Sequence, residues 1–280
     1  IHIEESILNR INYKTATKSA QVKSAILFAA LGCDQYSTIA HSLETRDHTE
    51  KLFKYLNFDI NIIDQIYIKK SIKNKGFSLT VPGDISSACF LIAGAVLVPG
   101  SKIKITNVLY NKTRLKFIYL LKKMNANVSI EDISSSNFEN TCTILASYSP
   151  NLKSTEVDSK CVIGAIDEIP ILSIIATQCT GKTVFNGLEE LKYKESDRAM
   201  MIYKNLKNMG ADISYSGNRI VINGNKKLYY TTIMHQNDHR IAISFEILNL
   251  FLNNNVSEEY NDVVSISFPD FYHTIKSLTK

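Results

Sequence analysis

Lys194, Glu195 and Arg198 stand close together in the run Leu188-Glu189-Glu190-Leu191-Lys192-Tyr193-Lys194-Glu195-Ser196-Asp197-Arg198, which follows the strand-like Thr183-Val184-Phe185. The pattern predicts that this run opens a helix. A helix N-terminus favours anions through its unpaired N–H groups and its dipole. Lys194 and Arg198 are four positions apart, which on a helix puts both on one face and makes a doubly basic wall for an anionic ligand. Glu195 is then a carboxylate held among cations, a setting that suits proton transfer. Taken alone, the same residues read as a solvated helix start laced with ion pairs.

Other polar starts along the chain weigh against that plainer reading. Ser19 and Gln21 begin an Ala-rich apolar segment and offer small polar groups suited to a phosphate or carboxylate. Arg46, in Thr45-Arg46-Asp47-His48-Thr49-Glu50, lies at another helix entrance. Asp167 precedes a run that otherwise reads as core, and Asp238-His239-Arg240 opens the last apolar segment. Singly, Ser19, Asp84, Asp167 and Asp238 read as helix caps. Arg46 reads as a surface ion-pair partner of Asp47 or Glu50, and His239 as a structural hydrogen-bonding histidine. A purely structural repeat would reuse one cap, whereas these starts differ in chemistry, as a composite binding site on a repeated scaffold requires. Gly181-Lys182-Thr183 lacks the upstream glycine of a phosphate loop, and no kinase context, serine elbow or zincin helix appears.

The elements that must carry these groups repeat. Lys54–Ile62, Lys122–Ile130 and Lys207–Tyr215 each read as a helix end, an Asn or Gly turn residue, then an alternating strand. Upstream of these strands stand Ser19–Ala30, Asp84–Ala93 and Asp167–Ala176, and Asp238–Phe245 follows them. Each is a polar start and an apolar helix. Helices apolar almost all round belong inside a fold. The second helix of each unit, such as Asp47–Leu56 or Arg198–Met209, carries charge and should face solvent. The predicted unit is therefore buried helix, strand, exposed helix, strand: an α/β protein with helices inside and sheets around them. Unequal spacing of the copies argues against a solenoid. The turn-forming Val81-Pro82-Gly83 predicts two domains, residues 1–81 and 82–280.

A net charge of +5 without a clustered basic tract fits small anionic ligands and argues against nucleic acid. The five cysteines (Cys33, Cys89, Cys142, Cys161, Cys179) form no C-x-x-C and have no His at ligand spacing. They read as reduced thiols of a cytoplasmic protein, not a zinc site or a disulfide framework. The apolar run around Phe90–Val98 is too short to span a bilayer, and no signal peptide opens the chain. A first residue of Ile in place of Met predicts that residues upstream are absent.

Together the segments resemble the 5-enolpyruvylshikimate-3-phosphate synthase family, in family order across nearly the whole chain. The matching pieces are Ser19-Ala20-Gln21-Val22-Lys23-Ser24-Ala25, Arg46-Asp47-His48-Thr49-Glu50 and Pro82-Gly83-Asp84-Ile85-Ser86-Ser87-Ala88. Ile166-Asp167-Glu168-Ile169-Pro170-Ile171-Leu172, Leu188–Arg198, Asn237-Asp238-His239-Arg240-Ile241-Ala242 and Ser267-Phe268-Pro269-Asp270-Phe271 follow. Ser-Ala-Gln-Val-Lys with Arg-Asp-His-Thr is similar to the class II bacterial branch.

The resemblance implies the enolpyruvyl transferase fold: two inside-out α/β domains of repeated units with buried central helices and outer sheets, the first domain incomplete. It implies a monomer acting on shikimate 3-phosphate and phosphoenolpyruvate in the cleft between domains, with no cofactor, metal, nucleic acid or membrane. Ser19, Gln21, Arg46, Asp167 and Lys194 would bind shikimate 3-phosphate; Gln21, Arg198 and Arg240 would bind phosphoenolpyruvate. Asp167 and Glu195 would be catalytic, as proton acceptor for the 5-hydroxyl and as proton carrier at the methylene carbon. The pattern departs from the family in lacking the N-terminal Lys-Ser pair, a downstream Arg and the Gly-Asn-x-Gly-Thr loop, so the chain by itself is expected to be inactive. Ile266 stands where many members have Lys, and Tyr110-Asn111-Lys112-Thr113-Arg114 has Lys112 at a usual Pro. The alternatives are enolpyruvyl transfer to UDP-N-acetylglucosamine, a non-catalytic anion-binding remnant, and an RNA-end-processing enzyme of similar architecture, whose nucleotide-linked histidine context and strong basic surface are lacking.

Overall fold

Three helix ends set the frame of the chain. After α2 (His48–Tyr55), α4 (Lys116–Lys123) and α7 (Arg198–Asn208), Asn57, Asn125 and Gly210 turn the backbone into the left-handed region with φ of 58°, 62° and 89°. The following N–H then reaches back into the helix, Phe58 to the Phe53 carbonyl, Ala126 to Leu121 and Ala211 to Leu206, each at 2.9 Å. Asn and Gly tolerate this conformation, and it satisfies carbonyls that a helix end leaves orphaned.

In the computed structural model, residues 7–14, 19–40, 45–70, 76–136, 138–253 and 255–279 are described. The chain divides into two units, Ile1–Pro82 with Ser134–Thr141, and Gly83–Ile133 with Cys142–Lys280. The first carries β1 (Asn12–Lys14), α1 (Ala20–Ala30), β2 (Ser37–Ala40), α2, β3 (Ile60–Ile62) and β4 (Ile66–Ile68). Its sheet runs β1-β2-β4-β3, with β1 parallel to β2 and the other pairs antiparallel.

The second unit begins with α3 (Ile85–Leu97), β5 (Lys102–Tyr110), α4, β6 (Asn127–Ser136) and β7 (Glu139–Ser147), the last two crossing into the Ser134–Thr141 segment of the first. Next come β8 (Glu156–Val157), α5 (Ser159–Gly164), α6 (Ile169–Ala176), β9 (Lys182–Asn186), a 3-10 turn (Glu189–Tyr193), α7, β10 (Asp212–Tyr215) and β11 (Arg219–Asn223). It closes with α8 (His239–Asn253), α9 (Asn261–Val264) and α10 (Phe271–Leu278). The sheet β8-β9-β11-β10 repeats the order and strand directions of the first unit's sheet. In the sheet β5-β7-β6 the parallel bridge Gly83–Val108 stands where β1 and β8 stand in the others.

The repeat is therefore strand, helix, strand, helix, then two antiparallel strands. The sequence reading has one closing strand where the structure has two: it ends at the first strand of the hairpin, whereas Ser216-Gly217-Asn218, with Gly217 at φ 73°, turns the chain back into β11. Helices α3, α6 and α8 pack on one another. All eight residues of α6 are buried, the central-helix arrangement expected.

Helix α1 departs from expectation: its buried residues are Lys23, Leu27 and Ala30, while Val22 and Phe28 are exposed. It packs on β2, and α2 is the other helix of its unit among the described residues. The second helices are also not simply solvent-facing. Helix α7 buries Arg198, Ala199, Met201, Ile202, Asn205 and Leu206, since an amphipathic helix on a sheet buries one stripe. Among the described residues no helix is long and apolar enough to cross a membrane. All five cysteines are free and buried.

Candidate active site

The predicted helix start at Lys194 is displaced. Lys194 ends the 3-10 turn with extended backbone, and α7 begins at Arg198, capped by Asp197, whose carboxylate accepts from the Met200 N–H at 3.0 Å. Lys194 and Arg198 thus do not share one helical face. Ser196 and Asp197, both good capping types, move the start downstream of the charge pattern.

That shift places Arg198 at the start of α7 with its side chain fully buried. Its Nε donates to Asp238 Oδ2 at 2.8 Å, its Nη1 to Asp167 Oδ1 at 3.0 Å, and its Nη2 to Glu195 Oε2. Burial works against this charge, but Asp238, Glu195 and Asp167 outweigh it and hold the guanidinium above its ordinary value. Arg240, in the first turn of α8, reaches Asp167 Oδ2 at 3.5 Å. Asp167 immediately precedes Glu168, the N-cap of α6, so α6, α7 and α8 deliver Asp167, Arg198 and Arg240 together. Glu195 is half exposed and pairs with a buried partner, making it more than the surface ion pair of the plain reading.

Asp238 and Ser196 were missed as site residues. Fully buried Asp238 accepts from Ser196 Oγ at 3.0 Å and from the Arg240 N–H at 3.0 Å, tying the Arg198 guanidinium to the α8 backbone. A buried arginine demands such a partner, and the acid just before His239-Arg240 was the available signal. Neighbouring His239 is held below its usual value by burial and by the Arg240 charge.

In the first unit Ser19 is the N-cap of α1, accepting from the Val22 N–H at 3.4 Å. Gln21 is exposed and Arg46 half-buried. Lys23, 2% exposed, pairs with Glu50 and donates to the Arg46 carbonyl at 2.8 Å, while Ser24 and Thr49 share a 2.6 Å hydroxyl contact. Much of the two motifs is thus the fastening of α1 to the Arg46 segment.

Asp47, His48 and Glu139 bring three ligand-type atoms within 4.8 Å of one another. Lys51 Nζ already stands 3.0 Å from Glu139 and 3.6 Å from Asp47, and this ammonium supplies the positive charge there.

Repeated α/β units with guanidinium groups and carboxylates at helix starts define an anion-handling protein of the enolpyruvyl transferase fold. The family model described as EPSP synthase (3-phosphoshikimate 1-carboxyvinyltransferase) matches residues 1–275, and the chain belongs to this family. It is 38% identical over 282 residues to a 3-phosphoshikimate 1-carboxyvinyltransferase of Persephonella marina, covering 99% of this chain and 65% of that protein. The Listeria monocytogenes relative of the same name is 36% identical over 275 residues, covering 98% and 64%. The chain therefore spans somewhat less than two thirds of the length of these curated relatives. Among solved structures, EPSP synthase from Acinetobacter baumannii superposes with a TM-score of 0.88 at 33% identity, over 97% of this chain and 63% of that one. The enolpyruvyl transferase NikO from Streptomyces tendae shares the fold, with a TM-score of 0.64 at 14% identity over 92% of this chain and 58% of that one.

Proposed function

We propose that this chain carries part of the site that transfers the enolpyruvyl group of phosphoenolpyruvate to the 5-hydroxyl of shikimate 3-phosphate, releasing phosphate, in aromatic amino-acid biosynthesis in the cytoplasm. The observation that carries the reading is the joint presentation of Asp167, Arg198 and Arg240 by the starts of three packed helices. Asp167 takes the proton of the attacking hydroxyl, and Arg198 and Arg240 grip phosphoenolpyruvate. Guanidinium forks suit carboxylate and phosphate geometry.

Arg198 stands with Asp167, Glu195 and Asp238, and Arg240 with Asp167, so an anion that reaches Arg198 displaces one of its carboxylates. Glu195 is the group to move, because its side chain is 48% exposed whereas Asp238 is fully buried. Freed from Arg198, it is available to carry a proton at the methylene carbon. Addition of the hydroxyl at C2 followed by loss of phosphate completes the transfer, with positioning and charge stabilisation as the sources of rate. Lys194, Ser19, Gln21 and Arg46 contribute contacts to shikimate 3-phosphate, and Gln21 also meets phosphoenolpyruvate.

Calorimetric titration with each substrate tests the reading. Shikimate 3-phosphate binding should weaken in Lys194→Met and phosphoenolpyruvate binding in Arg240→Ala. Absence of binding by either ligand to the folded protein overturns the assignment.

A further inference from the structure

Glu168 has no task in the chemistry above, yet its surroundings are specific. It is 4% exposed and is the N-cap residue of α6, but its side chain makes no cap bond. Ser86 Oγ, in the first turn of α3, donates to Glu168 Oε1. The same hydroxyl accepts from Arg114 Nη2 at 2.6 Å. A hydroxyl carries one proton, so the arrangement that gives that proton an acceptor runs from guanidinium to hydroxyl to carboxylate. Arg114 also reaches Asp84 Oδ1, the N-cap of α3, at 3.2 Å. One cation thus fastens the start of α3 to the start of α6.

Two carboxylates adjacent in sequence therefore serve different cations. Asp167 bonds Arg198 and Arg240, while Glu168 is tied through Ser86 to Arg114. The charged and titratable groups facing the pair are Arg114, Asp84 and Cys89 around the start of α3, Arg198 on α7 and Arg240 on α8. Burial and the Asp167 charge push the Glu168 carboxyl above its ordinary range, against the pull of Ser86, Arg240 and Arg114. Like charges this close cannot titrate independently.

We propose that Glu168 is a positioning residue for Asp167: anchored by Ser86 and Arg114, its charge makes Asp167 a stronger proton acceptor while the anchor fixes the first turn of α6. The inference rests on the reading of Asp167 as the proton acceptor, but its test does not depend on turnover. Carboxyl-carbon NMR across a pH titration follows both residues in the whole chain.

In Glu168→Gln, which keeps the acceptor for Ser86, the Asp167 midpoint should fall by on the order of one pH unit. In Ser86→Ala the Glu168 midpoint should rise, and Ser86→Thr, which restores a hydroxyl, should return it. A purely structural anchor would leave the Asp167 midpoint in place, and that result in folded Glu168→Gln overturns the proposal. Should that variant not fold, the wild-type curves decide. Each carbon must show an inflection at the other's midpoint, and two independent single-step curves overturn the coupling. Failure of the substrate reading would appear as absent ligand binding with these curves unchanged.

Discussion

Helices α1 and α6 share an apolar character, yet they end in opposite surroundings. All eight residues of α6 are buried, whereas α1 buries Lys23, Leu27 and Ala30 of its eleven. The difference lies in neighbours: α6 meets three helices, α3, α7 and α8, whereas among the described residues α1 meets β2 and one helix, α2, through Ser24–Thr49 and Phe28–Phe53. An apolar helix is thus a capacity for burial that adjoining helices realise. The charges follow the same division. Arg198 is enclosed by three carboxylates in the second unit. In the first, the enclosed cation is Lys23, and the ligand-type Ser19, Gln21 and Arg46 are partly or wholly open.

The largest effect that bears on this contrast comes from the enclosed guanidinium. Arg198→Met should destabilise the protein by about 3–5 kcal/mol, because fully buried Asp238 loses its cation. Arg46→Met should cost less than about 1 kcal/mol. Urea unfolding followed by circular dichroism measures both, and equal losses would break the comparison. The helices offer a parallel pair. Leu172→Ala in α6 should cost about 2–5 kcal/mol, whereas Val22→Ala on the open face of α1 should stay within about 0.5 kcal/mol.

Much of this was legible in the sequence wherever a signal was local. The turn residues Asn57, Asn125 and Gly210 mark their helix ends because few residues accept that backbone. The polar starts of α6 and α8 predict Asp167 and Arg240 at helix entrances, and the structure brings them together. Other features depend on distant partners. Nothing within Ser19–Ala30 says how many helices cover it, and nothing beside Arg198 says that Asp238 fills its Nε. Likewise, Glu168 reads as part of a cap until Ser86 and Arg114 meet it.

Inside the second unit the contrast sharpens with pH. Glu246 on α8 is fully buried, and among the described residues its Oε1 and the Asn249 Oδ1 find no hydrogen-bond partner. Burial pushes the Glu246 carboxyl up, with Glu259 adding to it and Ser257 and Asn249 opposing. Burial and Glu246 together push the Tyr272 phenol well above its ordinary value. A carboxyl raised on folding favours the folded state at acid pH, and that advantage is lost as pH climbs through the raised value. Glu246→Gln, a fixed neutral mimic, should therefore raise the melting temperature at pH 8 and gain little at pH 4. A gain independent of pH would show that Glu246 carries no such strain.

The last pair belongs to a device both units share. Asn57 and Gly210 occupy equivalent left-handed positions, one in each unit. That backbone disfavours alanine by about 1–2 kcal/mol: Gly210→Ala adds a Cβ, and Asn57→Ala removes the short polar side chain whose local hydrogen bonding lets Asn accept it. At Gly210 the new Cβ would lie 3.3 Å from Tyr229 Cδ2, a tight approach to a side chain that can shift. Asn57→Ala and Gly210→Ala should thus each cost about 1 kcal/mol and agree within about 0.5 kcal/mol. Agreement in urea midpoints would show that helix ends are set locally while helix burial is set by neighbours. A much larger loss at Gly210 would instead assign the turn's stability to its packing against Tyr229.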